Sequence, residues 1–186
     1  MFEENSVKEK LETGRLRLRI PDVIQDTGTV FQGIKLSHSS LKTWMSAFQD
    51  QPTLAGTEAF LTKACEQFST RQKLRYLLFE KQYGTFVGSI VIQEIAWHVP
   101  RCELGYWILD PFQRRGFALE AVTEVVRYAL EELGMNRIEA WTDERNYPGT
   151  AMLARAGFQL DGILKNDERS ADGTHLIHSA VYSITA

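Results

Sequence analysis

The stretch Gln113-Arg114-Arg115-Gly116-Phe117-Ala118 places an amide, two guanidinium groups and a glycine where a strand-like run gives way to the clearest helical pattern in the chain. A helix N-terminus presents unpaired N–H groups and the positive end of a dipole. Gly116 lets the backbone come close to a ligand, and Arg114 and Arg115 add positive charge. A diphosphate suits such a turn. The alternative is a surface loop whose arginines are solvated. The stretch is not a dinucleotide fingerprint, which needs Gly-x-Gly-x-x-Gly, nor a P-loop, which needs Gly-Lys-Ser/Thr.

The elements around this turn can be read from periodicity. Leu16, Leu18 and Ile20 alternate with Arg15, Arg17 and Arg19, which predicts a half-buried strand ended by Pro21 and Asp22. Residues 24–68 read as helical, in two or more short pieces. Leu41, Trp44, Met45 and Phe48 recur at helical spacing, as do Phe60, Leu61, Ala64 and Phe68. Runs at 74–80, 86–95 and 102–109 predict three consecutive antiparallel strands, because their links are too short for crossovers. Residues 118–133 form the clearest helix, with Ala118, Val122, Val125, Val126, Ala129 and Leu133 on one stripe and Gly134 ending it. A strand at 137–142 follows. Then comes a short helix at 148–156, with Pro148 in its first turn and Gly157 past its end. Strands at 158–164 and 175–184 complete the chain, with Asp172-Gly173 in the turn between them. The helix at 118–133 is long enough for a crossover, so its flanking strands are expected to be parallel neighbours. The expectation is one domain over 1–186, of α+β class on a mixed sheet, with residues 1–10 as a loosely ordered polar lead-in.

Composition narrows the function classes. The 186 residues carry 21 basic and 24 acidic side chains, a formal net charge of −3, and 44% of them are apolar. That excludes a largely disordered chain and gives no support to nucleic-acid binding by charge. The arginines at 15, 17 and 19 therefore read as a solvated face rather than a nucleic-acid surface. Cys65 and Cys102 form no Cys-x-x-Cys and read as isolated thiols. Glu3, Glu4, Lys8, Glu9 and Lys10 do not form the pattern of a signal peptide, and no apolar run approaches the ~20 residues that span a bilayer. A soluble cytoplasmic protein without a membrane partner is the expectation. His175 and His178 lack an acidic or cysteine partner, so no metal site is expected. No Gly-x-Ser-x-Gly elbow supports a serine hydrolase.

The motif set as a whole is more informative than its members. Leu-Glu-Thr-Gly-Arg-Leu-Arg-Leu-Arg opens it, and Glu103-Leu104-Gly105-Tyr106-Trp107-Ile108-Leu109-Asp110-Pro111 precedes the glycine turn. Arg137-Ile138-Glu139-Ala140-Trp141, Asn146-Tyr147-Pro148 and Ala156-Gly157-Phe158 follow it. In this order the segments resemble the GNAT superfamily of acetyl-CoA-dependent N-acetyltransferases. Within it they look most like the Rim-type branch, which acetylates N-termini of ribosomal proteins. The resemblance covers nearly the whole chain. It implies a central mixed, mostly antiparallel sheet of about six to seven strands, splayed at the cofactor site and flanked by about four helices.

It also implies a role for each matching residue. Gln113, Arg114, Arg115, Gly116, Phe117 and Ala118 would form the pyrophosphate turn, binding mainly through backbone N–H groups. Trp107, Ile108 and Leu109 would be the splayed strand end whose backbone pairs with pantetheine. Asn146 would reach the pantetheine arm or the thioester. Glu103 would face the acceptor amine, with a carboxylate paired to an Arg as the structural alternative. Trp44 and Met45 would line one wall of the acceptor cleft, with ordinary helix packing as the alternative. The chemistry implied is direct attack of a neutral amine on the thioester. That requires positioning, an oxyanion donor near Leu109 and a proton acceptor. An α-amine, with a pKa of ~7.7–8.0 against ~10.4 for lysine, needs little help from a base.

Two positions depart from the family pattern. Many relatives carry a Tyr four residues before the Gly-Phe pair as general acid, where this chain has Leu153. The Rim-type branch often has a Ser three residues after the Asn, where this chain has Gly149 and then Thr150. Thr150 is the substitute candidate for protonating the thiolate. The acceptor expected is a protein or peptide N-terminus. A polyamine, amino acid or aminoglycoside is the enzymatic alternative, and a sensor that binds acyl-CoA without turnover is the alternative from another class. The family resemblance also allows a homodimer.

Overall fold

The computed structural model describes residues 7–186. Its strands are β1 (Lys10–Glu12), β2 (Leu16–Arg19), β3 (Leu74–Glu80), β4 (Phe86–Ala96), β5 (Arg101–Ile108), β6 (Arg137–Asp143), β7 (Gln159–Arg169) and β8 (Leu176–Thr185). Its helices are α1 (Val23–Trp44), α2 (Leu54–Ser69), α3 (Phe117–Glu131) and α4 (Tyr147–Arg155). The strands form one sheet in the order β1-β2-β3-β4-β5-β6-β8-β7. All neighbours are antiparallel except β5 and β6. The one parallel pair flanks α3, as the crossover argument expects.

The sheet has eight strands, one or two more than expected, because β1 was hidden in the predicted lead-in. Lys10, Leu11 and Glu12 pair with Arg19, Leu18 and Arg17. Residues 7–10 are also tied down. The Lys8 N–H donates to the Tyr128 hydroxyl at 2.8 Å, and the Tyr76 hydroxyl donates to the Lys8 carbonyl at 2.8 Å. The part of the expected lead-in at 1–6 lies outside the described residues. The region at 24–68 is two long helices rather than several short ones. Asp22 caps α1 by accepting from the Gln25 N–H, and Thr53 caps α2 by accepting from the Gly56 N–H. The cap at Thr53 precedes the start that Phe60 spacing suggests.

Two cores result. One lies between the sheet and α3, centred on Leu16, Leu18, Leu78, Ile90, Val122, Val125 and Tyr128. The other lies between the opposite face and α1–α2, centred on Val30, Leu61, Leu77, Phe86 and Trp107. Arg15 and Arg17 are exposed, as a solvated face requires, and Arg19 is half-buried; each also meets a carboxylate. Arg15 pairs with Glu120 at 2.6 Å, Arg17 with Glu12 at 3.7 Å and Arg19 with Asp26 at 2.6 Å. Among the described residues no helix is long and apolar enough to cross a membrane.

Candidate active site

The sheet opens beside β5. Strands β5 and β6 pair only at Arg101↔Arg137, Cys102↔Ile138 and Glu103↔Glu139. Beyond that fork β5 continues to Ile108 and β6 to Asp143 without pairing. Antiparallel ladders alternate between residues that bond their neighbour and residues that face away. The Leu109 N–H donates to the Val87 carbonyl at 2.9 Å, one step beyond the Gly88↔Ile108 register. Counting back along that register, residues 107 and 105 turn their backbone toward β4, and Tyr106 and Ile108 turn theirs into the gap. Of the N–H groups near Leu109, where an oxyanion donor is expected, that of Leu109 itself is turned away from the gap. The Leu109 N–H is already engaged, and the Asp110 N–H donates to Ser37 Oγ at 2.9 Å. The Tyr106 and Ile108 N–H groups are the ones that face the opening.

The glycine turn begins just past this strand end. Asp110 fixes the loop, accepting from Ser40 Oγ on α1 and from Gln113 Nε2 at 2.9 Å. The Gln113 amide also reaches the Ile108 carbonyl at 3.3 Å. Arg114 has φ +59° and Gly116 has φ +81°, so the chain makes two left-handed steps before α3 starts. Residues 113–116 are exposed. Among the described residues, no N–H at 114–119 donates within the chain; the first α3 bond runs from Glu120 N to Gly116 O. Consecutive unpaired N–H groups aimed outward from a helix start form a nest for an anion, so the turn fits a diphosphate. Phe117 and Ala118 anchor it from below, with Phe117 buried against Phe112.

Glu103 occupies the fork, as the last β5 residue paired with β6. Its carboxylate accepts from Gln93 Nε2 at 2.8 Å. Burial pushes this carboxyl up, against the opposing hydrogen bond from Gln93, with Glu94 and Glu139 adding to the rise. Glu139 lies directly across the fork. Burial would raise it too, but hydrogen bonds from Arg137 and Trp141 win and hold it below the usual range. The two facing carboxyls are thus pushed in opposite directions. The predicted arginine partner belongs to Glu139 and not to Glu103, with Arg137 Nε at 2.6 Å.

On the same side lies a cleft of about 560 Å³. It is lined by Lys42, Thr43, Trp44 and Gln49, by Asp143 and Arg145, and by the β7–β8 turn at Ser170, Asp172 and His175. Trp44 is exposed at the end of α1 and reaches this cleft. Met45 instead packs half-buried against the α1–α2 core. Trp107 is likewise a core side chain, edge-on to Phe48 and Phe86, so its strand faces the gap through backbone alone. Arg145 Nη2 lies 3.0 Å from His175 Nε2.

Asn146 and Thr150 sit at the start of α4. Asn146 Oδ1 accepts from the Gly149 N–H at 3.2 Å and its Nδ2 donates to Thr142 Oγ1 at 3.1 Å, so its side chain caps the helix. A Cβ at Gly149 would come within 2.8 Å of Asn146 Nδ2, so the Asn146 side chain would have to shift to admit one. Thr150 Oγ1 donates back to the Tyr147 carbonyl at 3.1 Å. Leu153 is buried in the α3-side core. Among the described residues no three His, Cys, Asp or Glu side chains converge as a metal site.

Arg15, Glu139, Arg145 and His175 are site neighbours that periodicity does not reveal. Arg137 and Glu139 share one face of β6, and Asp143 at its end pairs with Arg145 in the turn that follows.

The family model described as "Acetyltransferase (GNAT) domain" matches residues 15–159. The uncharacterized N-acetyltransferase YoaA of Bacillus subtilis (strain 168) is 27% identical over 156 residues, 83% of this chain and 85% of its own. Among solved structures, RimL, the ribosomal L7/L12 alpha-N-protein acetyltransferase in complex with coenzyme A, superposes with a TM-score of 0.88. It is 17% identical, over 95% of this chain and 98% of that one. Mycobacterium smegmatis RimJ in complex with CoA-disulfide gives a TM-score of 0.82 at 22% identity, over 92% and 82% of the two chains.

Proposed function

The chain belongs to the GNAT acetyltransferase family and is an acetyl-CoA-dependent N-acetyltransferase, and from that premise we propose that its acceptor is the N-terminal α-amine of a protein or peptide. The observation that carries this reading is the fork at Glu103. It sets a raised carboxyl at the point where β5 and β6 part and the sheet opens. The RimL and RimJ likenesses support a protein acceptor.

In this reading the diphosphate of acetyl-CoA sits on the turn at residues 113–118, on the free N–H groups from Arg114 onward, and the pantetheine arm runs along the gap beside Tyr106 and Ile108. The amine enters through the cleft past Trp44. Glu103 takes the amine proton, directly or through a water, as the nitrogen attacks the thioester carbonyl. A raised carboxyl is a better match to an α-amine of pKa ~7.7–8.0 than an ordinary one would be. The Ile108 N–H is the candidate donor to the developing oxyanion. Nitrogen–carbon bond formation and carbon–sulfur cleavage then release the acetylated amine and the CoA thiolate. Thr150, or water, protonates the thiolate. Asn146 serves this end of the site through its cap of α4, which fixes the loop after β6.

Calorimetric titration with acetyl-CoA, followed by thiol release with N-terminal peptides and with polyamines, tests the reading. Micromolar acetyl-CoA binding and turnover on peptides support it. Turnover confined to polyamines or free amino acids assigns a small-molecule acceptor, and tight binding without thiol release across both panels assigns a sensor. Gly116→Asp adds a negative charge at the turn and a Cβ on a left-handed residue at φ +81°, within 3.3 Å of Arg15 Nη2, so the turn must shift and affinity is expected to fall on the order of 100-fold with the fold intact. Unchanged affinity would remove the diphosphate from this turn.

A further inference from the structure

Arg15 and Glu120 are 105 residues apart in sequence and meet at the glycine turn. Glu120 lies in the first turn of α3, where its charge would oppose a bound diphosphate. That charge is fully engaged. Glu120 Oε1 accepts from Thr13 Oγ1 at 2.5 Å and from the Arg15 N–H at 2.7 Å, and Oε2 accepts from Arg15 Nε at 2.6 Å. Burial would raise this carboxyl, and the hydrogen bonds from Thr13 and Arg15 together bring it below its ordinary value. The same guanidinium lies 4.6 Å over the Phe117 ring and donates from Nη1 to the Arg115 carbonyl at 3.0 Å.

The last contact has a geometric consequence. In a trans peptide the C=O and the following N–H point in opposite directions. Holding the Arg115 carbonyl toward Arg15 turns the Gly116 N–H away from it, onto the exposed side of the turn. A Cβ at Gly116 would approach Arg15 Nη2 at 3.3 Å, so the guanidinium backs the turn from the side opposite its outward N–H groups.

We propose that Arg15 is a positioning residue for cosubstrate binding: anchored on Glu120, it holds the Arg115 carbonyl so that the turn presents its N–H groups to the diphosphate. The proposal rests on the placement of the diphosphate at residues 113–118. Arg15 acts through the backbone of the turn, while its own charge is satisfied by Glu120.

The test compares wild type, Arg15→Ala, Arg15→Lys and Gly116→Asp with two acetyl donors, acetyl-CoA and acetyl-pantetheine, which lacks the diphosphate. Arg15→Ala is expected to weaken acetyl-CoA binding about tenfold, with kcat at saturation within about twofold and acetyl-pantetheine KM unchanged. Arg15→Lys restores part of the loss, since an ammonium can reach one acceptor but not fork between two. The loss is the same at low and high salt, because the guanidinium charge is already paired. Equal losses with both donors would mean a general structural defect and would overturn the proposal. A loss that vanishes at high salt would make Arg15 a direct ligand of the diphosphate and would also overturn it. If Arg15→Ala does not fold, Glu120→Gln, which keeps the side-chain size but weakens the anchor, should give a smaller loss confined to acetyl-CoA. Unchanged acetyl-CoA affinity in the Arg15 variants while Gly116→Asp abolishes binding defeats this proposal alone. Unchanged affinity in Gly116→Asp defeats the placement beneath it.

Discussion

On one side of the fork, β4 is buried from Phe86 to Ile92, enclosed between α3 and the α1–α2 pair. On the other side, β7 has ten of its eleven residues exposed, and Leu160, Ile163 and Leu164 stand in solvent. The covered half is held by apolar packing on both faces. The open half is laced by ion pairs in partial solvent, such as Arg137 with Glu139 and Asp161. The reacting groups divide along the same line. Glu103 and the gap-facing backbone of β5 belong to the covered half, and Asp143, Arg145 and His175, which line the cleft, belong to the open one. In the proposed reading, the proton acceptor is built into the packed half and the entrance for the amine into the half with fewer packing constraints.

Matched substitutions sharpen that contrast. The largest difference is expected from the two arginines. Asp26 is 4% exposed at its side chain and depends on Arg19, so Arg19→Ala should cost about 3–5 kcal/mol in urea unfolding. Arg137→Ala, whose partners are partly solvated, should cost roughly 0–1 kcal/mol. Equal costs would erase the distinction between the halves.

Glu103→Gln comes next. Loss of a general base should lower kcat by about 10²-fold, at the small end of the range because an α-amine needs little help. The wild-type acid limb of kcat/KM should lie above the ordinary carboxylate range, as burial of Glu103 requires, and should be absent in the variant. A wild-type pH profile in the variant would remove Glu103 as the base. Stability moves the other way. A carboxyl raised in the folded state contributes stability below its unfolded value and loses it as pH rises through the raised value. Glu103→Gln should therefore melt slightly above wild type at pH 7, since Gln93 keeps an acceptor. The smallest effect belongs to the open edge: Ile163→Ser, at a side chain 43% exposed, should stay within about 0.5 kcal/mol of wild type.

Much of this architecture was legible locally. The alternation at Leu16 and Leu18, the apolar stripe of α3 and the strands at 74–80 and 137–143 follow from period alone. Other features were not. Three residues with Lys10 at their head carry too little pattern to mark β1, which exists because Leu11 pairs with Leu18. The start of α2 depended on a cap at Thr53 that lies outside the apolar repeat. Met45 and Trp44 are adjacent in sequence, yet one turns into the core and the other toward the cleft. Spacing on a helix cannot say which of two neighbours faces a partner not yet placed.

The sequence by itself determined the glycine turn, since a left-handed step and a run of unpaired N–H groups at a helix start are properties of a few consecutive residues. It also pointed to the parallel pair across α3, because a helix of that length is long enough for a crossover. Only the tertiary structure decided that β5 and β6 part immediately after Glu103, that Glu139 and not Glu103 takes the arginine, and that Arg15 backs the turn. Each of these depends on register and twist summed over strands far apart in the chain. A shift of one residue turns every side chain to the other face, so no local pattern contains them.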